Sequence, residues 1–268
     1  VKYIAAAFLT FVAFNGTASA VELHGKMIQG ALMRGIVAPG SRVTVDGKEL
    51  QLTPDGQFVF GIGRDAGTDI DLAITDPAGE TQELHLPITQ RKWEIARVDG
   101  LPEKTVNPDP ATLEQIKKDS AAIHAARKQA GLETGFEEKF LAPVTALRVS
   151  EPFGSQRILN GEARAPHIGI DLAVPIGTAV LAPASGKVIL VAPDMVLTGG
   201  TVMIDHGYGV TSVYAHLSEI SVKPGDVLAQ GQEFAKSGMT GRATGPHLHW
   251  GVFWFETALD PGLLASVP

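Results

Sequence analysis

The sequence predicts a mainly β protein, in which a small N-terminal β-sandwich and a C-terminal antiparallel β domain are joined by one linking helix. Three observations predict it. Residues 21 to about 95 fall into short period-two runs separated by turn residues, the pattern of a small sandwich. Only the stretch after Pro110 carries apolar residues at helical spacing. From residue 141 to 268, glycine turns interrupt dense β-branched runs.

Composition narrows the chemistry. The 268 residues are 44% hydrophobic and 19% charged, a globular balance, and the formal net charge is −7. Lys and Arg are scattered along a net negative chain, which gives no electrostatic footprint for nucleic acid. The absence of cysteine excludes disulfides, thiol nucleophiles, iron–sulfur clusters and thiolate zinc sites. Oxygen and imidazole must do the chemistry.

Residues 1–20 read as an export signal, with Lys2, an apolar run from Tyr3 to Phe14, and a small-residue end at Ala18-Ser19-Ala20. The run falls short of the ~20 apolar residues needed to cross a bilayer. Cleavage is expected after Ala20.

In the N-terminal domain (21–95), Val43-Thr44-Val45 leads into Asp46-Gly47, a strong hairpin signal. Phe58-Val59-Phe60, Ile70 to Ile74 and Glu83 to Leu86 continue the β pattern, while His24 and His85 sit alone in sequence and read as structural. A linker and helix occupy 96–140. Pro102 and Pro108 punctuate the linker, Asp109-Pro110 reads as N-cap and first helical residue, and Leu113, Ile116 and Ile123 form an apolar stripe. His124, beside the stripe, reads as solvated. The last domain runs from 141 to 268.

That domain holds five of the eight histidines. His167-Ile168-Gly169-Ile170-Asp171 reads as a strand whose imidazole and carboxylate share a face, with a glycine between them. His247-Leu248-His249-Trp250-Gly251-Val252 repeats the arrangement, with Leu248, Trp250 and Val252 on the core face. Two imidazoles and a carboxylate make a ligand set for catalytic zinc, which keeps a fourth position open for water. His216 ends the run Val213 to His216, where it is expected to share a face with Tyr214.

The ordered segments Glu151-Pro152-Phe153-Gly154, His167-x-x-x-Asp171, Tyr214-Ala215-His216-Leu217-Ser218 and Thr244-Gly245-Pro246-His247-Leu248-His249 resemble those of the LytM/lysostaphin-type (β-lytic) zinc peptidoglycan endopeptidases. The resemblance covers roughly residues 141–256. It implies that His167, Asp171 and His249 hold one zinc ion per chain, and that His216 and His247 flank the metal-bound water as catalytic residues. It implies as substrate the peptide part of bacterial peptidoglycan. His206 matches a family histidine that is not a ligand and reads as structural. Asn160 reads as cleft-lining, and Arg157 and Arg164 as surface residues near the cleft.

A second class stands beside the enzyme: a non-catalytic activator of a cell-wall amidase with the same fold. Ligands are usually degraded in such relatives, and here all five site residues are present, which favours catalysis. A cysteine-free exported chain points to a periplasm, with secretion as the other destination. For the N-terminal domain the readings are wall binding, masking of the cleft until displaced, and holding a partner.

Overall fold

The computed structural model describes residues 10–11, 21–100, 109–129, 131–146 and 148–268. Apart from residues 10–11, the expected export signal lies outside the described residues, as do Pro102 and Pro108 of the linker. The chain is mainly β and divides into two compact units, residues 1–91 and 92–268. No helix among the described residues is long and apolar enough to cross a membrane.

The first unit comprises β1 (Thr10–Phe11), β2 (Glu22–His24), β3 (Leu32–Ile36), β4 (Arg42–Val45), β5 (Lys48–Glu49), β6 (Gln57–Gly61), β7 (Asp69–Thr75) and β8 (Thr81–Pro87). They form two four-stranded sheets, in the orders β1-β2-β3-β6 and β5-β4-β7-β8. Alternation decides what each strand buries. Ile70, Leu72 and Ile74 of β7 are buried while Asp69 and Asp71 face outward. The turn between β4 and β5 is Asp46-Gly47, both with positive φ. The two histidines are not alone. Asp71 lies opposite His85 in the β7–β8 ladder and bonds its Nδ1 at 2.6 Å, and His24 Nε2 lies 3.2 Å from Glu22. Glu22 lies two residues from His24 on the same strand, whereas the cross-strand Asp71–His85 pair is invisible along one strand.

The second unit opens with β9 (Ile95–Val98) and α1 (Pro110–Arg127). Asp109 caps α1 by accepting from the backbone N–H of Ala111 and Thr112, with Pro110 in the first turn. The expected stripe is exposed at its start and half-buried at Ile116 and Ile123. Leu113 is 42% exposed, whereas Ile123 and Ala126 pack with Met203, Val213 and Phe253 on the sheet below. Arg127, also buried, lies over the Phe253 ring and pairs with Glu256. His124 is half-exposed but partnered, its Nδ1 lying 2.7 Å from Glu256. It is tied into this ion cluster rather than left to solvent.

The remaining strands are β10 (Arg148–Glu151), β11 (Gln156–Leu159), β12 (Glu162–Ala163), β13 (Ile170–Ala173), β14 (Ala179–Leu181), β15 (Gly186–Met195), β16 (Gly199–Gly207), β17 (Val210–Leu217), β18 (Glu219–Ile220), β19 (Val227–Leu228), β20 (Glu233–Lys236), β21 (Leu248–Trp254) and β22 (Thr257–Leu259). A short α2 (Pro261–Leu264) follows. The main sheet runs β10-β13-β21-β17-β16-β15-β19, with β22 also on β21, and all of its pairings are antiparallel. Strand β21 lies between β13 and β17, with Asp171 opposite His249 on one side and Ala215 opposite His249 on the other. Leu248, Trp250 and Val252 are fully buried on its other face.

His206, fully buried on β16, starts a polar chain whose direction is fixed. Its Nδ1–H donates to the Ser185 carbonyl at 2.7 Å, since a carbonyl only accepts. Burial pushes the imidazole down to about 4, against the Ser185 bond, so the ring is neutral and its Nε2 accepts from Ser212 Oγ at 2.7 Å. Ser212 Oγ in turn accepts from the Tyr214 hydroxyl at 2.8 Å. Because the folded ring titrates below the ordinary histidine value near 6.5, its contribution to stability is complete above that value. It is lost as pH falls from about 6.5 to about 4. The wild-type chain should therefore lose more stability than His206→Gln across that window, by up to about 3 kcal/mol. Urea midpoints of both proteins at several pH values measure it; parallel loss in the two would contradict the assignment.

Candidate metal centre

Three donor atoms meet at the start of β13 and on β21. His167 Nε2 lies 3.2 Å from Asp171 Oδ1 and 3.0 Å from His249 Nδ1, and His249 Nδ1 lies 2.9 Å from Asp171 Oδ1. A tetrahedral ion with bonds near 2.0 Å needs its ligand atoms about 3.3 Å apart, so this triangle is nearly closed on an ion of that size. The donor set, two imidazole nitrogens and one carboxylate oxygen, suits zinc and leaves a fourth direction open.

The local route to this triangle differs from the strand expected over 167–171. Strand β13 begins only at Ile170, and Ile168 is 46% exposed instead of buried. His167 sits in the preceding segment, held by backbone bonds: its N–H donates to Ser155 O at 2.7 Å, and its carbonyl accepts from Gly154 N at 2.9 Å. Its Nδ1–H donates to the Pro152 carbonyl at 3.2 Å, which turns Nε2 towards Asp171. Gly169 is required by space. A Cβ there would lie 2.8 Å from His249 Cε1 and 2.5 Å from the Trp250 carbonyl, so any side chain would displace the third donor.

Asp171 is largely buried, and burial acts to raise its carboxyl. The bonds from His167 and His249 outweigh that and hold it well below the usual carboxylate range. His249 is lowered by burial, with the Asp171 bond opposing and the charge of His167 and His247 adding. Hydrogen bonding thus favours the ionised carboxylate and burial favours the neutral His249 ring, and both directions suit cation binding.

His216 and His247 face this triangle as a pair, ring centroids 4.6 Å apart, and the His216 ring lies 6.3 Å from that of His249. His247 Nδ1–H donates to Gly245 O at 2.8 Å, and its Nε2 lies 3.7 Å from Asp171 Oδ2. His216 Nδ1–H donates to Thr240 O at 2.8 Å, which leaves its Nε2 unprotonated. Burial, with His247 and His249 adding, pushes His216 down to about 4, against the Thr240 bond.

His216 does not continue the face of Tyr214. Its φ is +63°, in the left-handed region, at a register shift between β16 and β17, and this turns the ring away from the strand's alternation. Tyr214 is instead fully buried in the polar chain from His206. A strained backbone persists only where its surroundings hold it. Here His216 N–H donates to Thr198 O at 2.7 Å, and Thr240 Oγ1 donates to Leu217 O and accepts from Gly200 N, both at 2.9 Å. Thr240 was not among the residues singled out from the sequence, and Pro152 and Gly245 stood there only as members of motif segments, without a role. Those two act through main-chain carbonyls alone, which leave no mark on residue type.

Of the cleft residues named from the sequence, Asn160 occupies the hairpin turn between β11 and β12 with φ +48°, and Arg164 pairs with Glu162 at 2.7 Å. The Arg157 side chain lies outside the described residues.

A fold dominated by one antiparallel sheet, with a His-Asp-His triangle and two further imidazoles over it, defines a metallopeptidase class, and sequence comparison gives the family. The model described as Peptidase family M23 matches residues 165–261, and the C-terminal domain belongs to that family. Among curated relatives, the peptidoglycan DD-endopeptidase ShyA of Vibrio cholerae is 42% identical over 104 residues, 38% of this chain and 24% of that one. ShyC of the same organism, also named a peptidoglycan DD-endopeptidase, is 36% identical over 189 residues, 69% of this chain and 42% of that one. A crystal structure from Pseudomonas aeruginosa described as a peptidase M23 superposes with a TM-score of 0.69 at 29% identity. The match covers 89% of this chain and 95% of that one. The chain spans about a quarter of the length of the first curated relatives it matches.

The brace at Thr240 is testable. Thr240→Val leaves the Gly200 N–H and the Leu217 carbonyl without their partner, and should cost about 1–3 kcal/mol. Thr240→Ser keeps the hydroxyl and should stay close to wild type. Thermal unfolding of the two variants distinguishes them, and equal stability would show that the hydroxyl does not hold the bulge.

Proposed function

We propose that the chain is an exported zinc endopeptidase that hydrolyses peptide bonds in the cross-links or stem peptides of bacterial peptidoglycan. One observation carries the reading: a three-donor triangle with an open fourth direction, faced by two imidazoles whose Nδ1 protons are both committed to backbone carbonyls. The peptidase M23 match and the relatives named peptidoglycan DD-endopeptidases support the substrate class. A closed structural site would need a fourth protein ligand, and three are brought together here. The presence of all five residues also argues against a non-catalytic amidase activator.

Zinc held by His167, Asp171 and His249 would lower the pKa of a water towards about 7 and polarise the scissile carbonyl. The chain's own groups handle the protons. His216 and His247 each present Nε2; one accepts the proton of the attacking water, and the other hydrogen-bonds the oxygen that gains charge as the carbonyl becomes tetrahedral. The accepted proton then passes to the leaving amine. Burial pushes His216 down to about 4, so its Nε2 is unprotonated in the neutral range.

Two outcomes are expected for the site. The purified chain should hold one zinc per molecule, and His249→Ala should lose most of it, as read by elemental analysis. His247→Ala should keep its zinc while release of cross-linked fragments from wall material falls by at least about 100-fold. A metal-free chain that leaves sacculi intact yet stimulates an amidase would overturn the reading. Export rests on residues 1–20 and predicts a mature chain beginning at Val21, which intact-mass measurement of the periplasmic and secreted fractions would establish or refute.

A further inference from the structure

The first metal ligand is steadied by a residue more than seventy positions earlier in the chain. Residues 92–98 belong to the second unit, and β9 runs parallel to β11, with Ile95 opposite Gln156 and Val98 opposite Leu159. Just before this ladder, Gln156 N–H donates to Glu94 O at 2.9 Å. The Trp93 ring meets the buried Phe153 ring edge-on at 5.8 Å. It also covers Gly154, whose φ is +79°. A Cβ at Gly154 would lie 2.3 Å from Trp93 Cε3 and 2.4 Å from Cζ3, so the indole rests directly on the backbone there.

The stretch Pro152–Ser155, which contains Phe153 and Gly154, also holds His167. Pro152 O accepts from its Nδ1, Gly154 N–H donates to its carbonyl, and Ser155 O accepts from its N–H. The segment Pro152–Ser155 therefore carries the indole's contacts and the imidazole's bonds together. The acceptor that orients the His167 ring belongs to this segment. Groups that orient a ligating histidine through its second nitrogen set metal affinity as well as geometry.

We propose that Trp93 is a positioning residue for the metal centre: by packing on Phe153 and Gly154 it fixes the Pro152 carbonyl, and through it the His167 ring. This rests on the zinc reading of the site. It assigns the stretch that opens the second unit a part in metal binding, in addition to its part as a connection.

The test uses the full chain and reads metal, not hydrolysis. Zinc affinity is measured by competition with a chelator, and the ligand field by the visible spectrum of the cobalt(II)-substituted protein. Trp93→Ala should weaken zinc binding by about tenfold and shift the cobalt spectrum, while Trp93→Phe, which keeps a ring against Phe153, should restore both. Phe140→Leu is the control: Phe140 is buried against His206, which is not one of the ligands, so the variant should lower Tm with zinc affinity unchanged. Should Trp93→Ala fail to fold, Trp93→Leu retains apolar bulk without the ring and should still lose affinity severalfold. Wild-type affinity in folded Trp93→Ala or Trp93→Leu, or equal loss in Phe140→Leu, would overturn the proposal. A wild-type chain that takes up no zinc would overturn both this and the zinc reading. A zinc-loaded chain without peptidase activity would overturn only the catalytic part of that reading.

Discussion

The site depends on one cross-strand register: Asp171 stands opposite His249 in the β13–β21 ladder, and Ala215, next to His216, stands opposite His249 in the β17–β21 ladder. Polar bonds at the metal centre are too few to choose that register. The choice is made on the other face of β21, where Leu248, Trp250 and Val252 are fully buried. A slip of one residue would turn all three outward and bring the histidines into the core. Losing the burial of three such side chains costs on the order of 5 kcal/mol or more, before any charge is buried. The apolar face thus sets the geometry of the polar one.

Desolvation then sets the chemistry of what the register assembles. Burial is the largest influence on His216 and His249 and lowers both, while Asp171 stays ionised because two imidazoles bond it. In water the same histidines would be partly protonated in mildly acidic conditions and would compete poorly for a cation. His206 shows the same effect put to a different use. Fully buried and away from the triangle, it orders Ser212 and Tyr214 into a one-way chain that ties β16 to β17.

Much of this was legible in the sequence, for identifiable reasons. The alternation from Leu248 to Val252, the Asp109-Pro110 start of α1 and the Asp46-Gly47 turn are local signals, and the local physics decided them. The five histidine and aspartate positions were legible through motif order, because their spacing reflects the strands that carry them. What stayed hidden depends on groups distant in sequence. Ile168 is exposed because tight backbone bonds from Gly154 and Ser155 capture His167 before β13 begins. The left-handed turn at His216 is maintained by Thr198 and Thr240, neither of which marks the strand itself. Leu113 stays exposed because it precedes the turns of α1 that pack on the second unit, and the partners of His85 and His124 come from other segments.

The acceptors at Pro152, Thr240 and Gly245 share a property: each offers a main-chain carbonyl to a histidine Nδ1–H. A carboxylate in that place could be lost by a single mutation, whereas a peptide carbonyl survives any change of side chain that preserves the path of the loop. The segments bordering the cleft are therefore free to diversify their side chains while the imidazoles keep their tautomers. Substrate preference and proton inventory are encoded in different atoms of the same loops, so lineages can retune the first without having to rediscover the second.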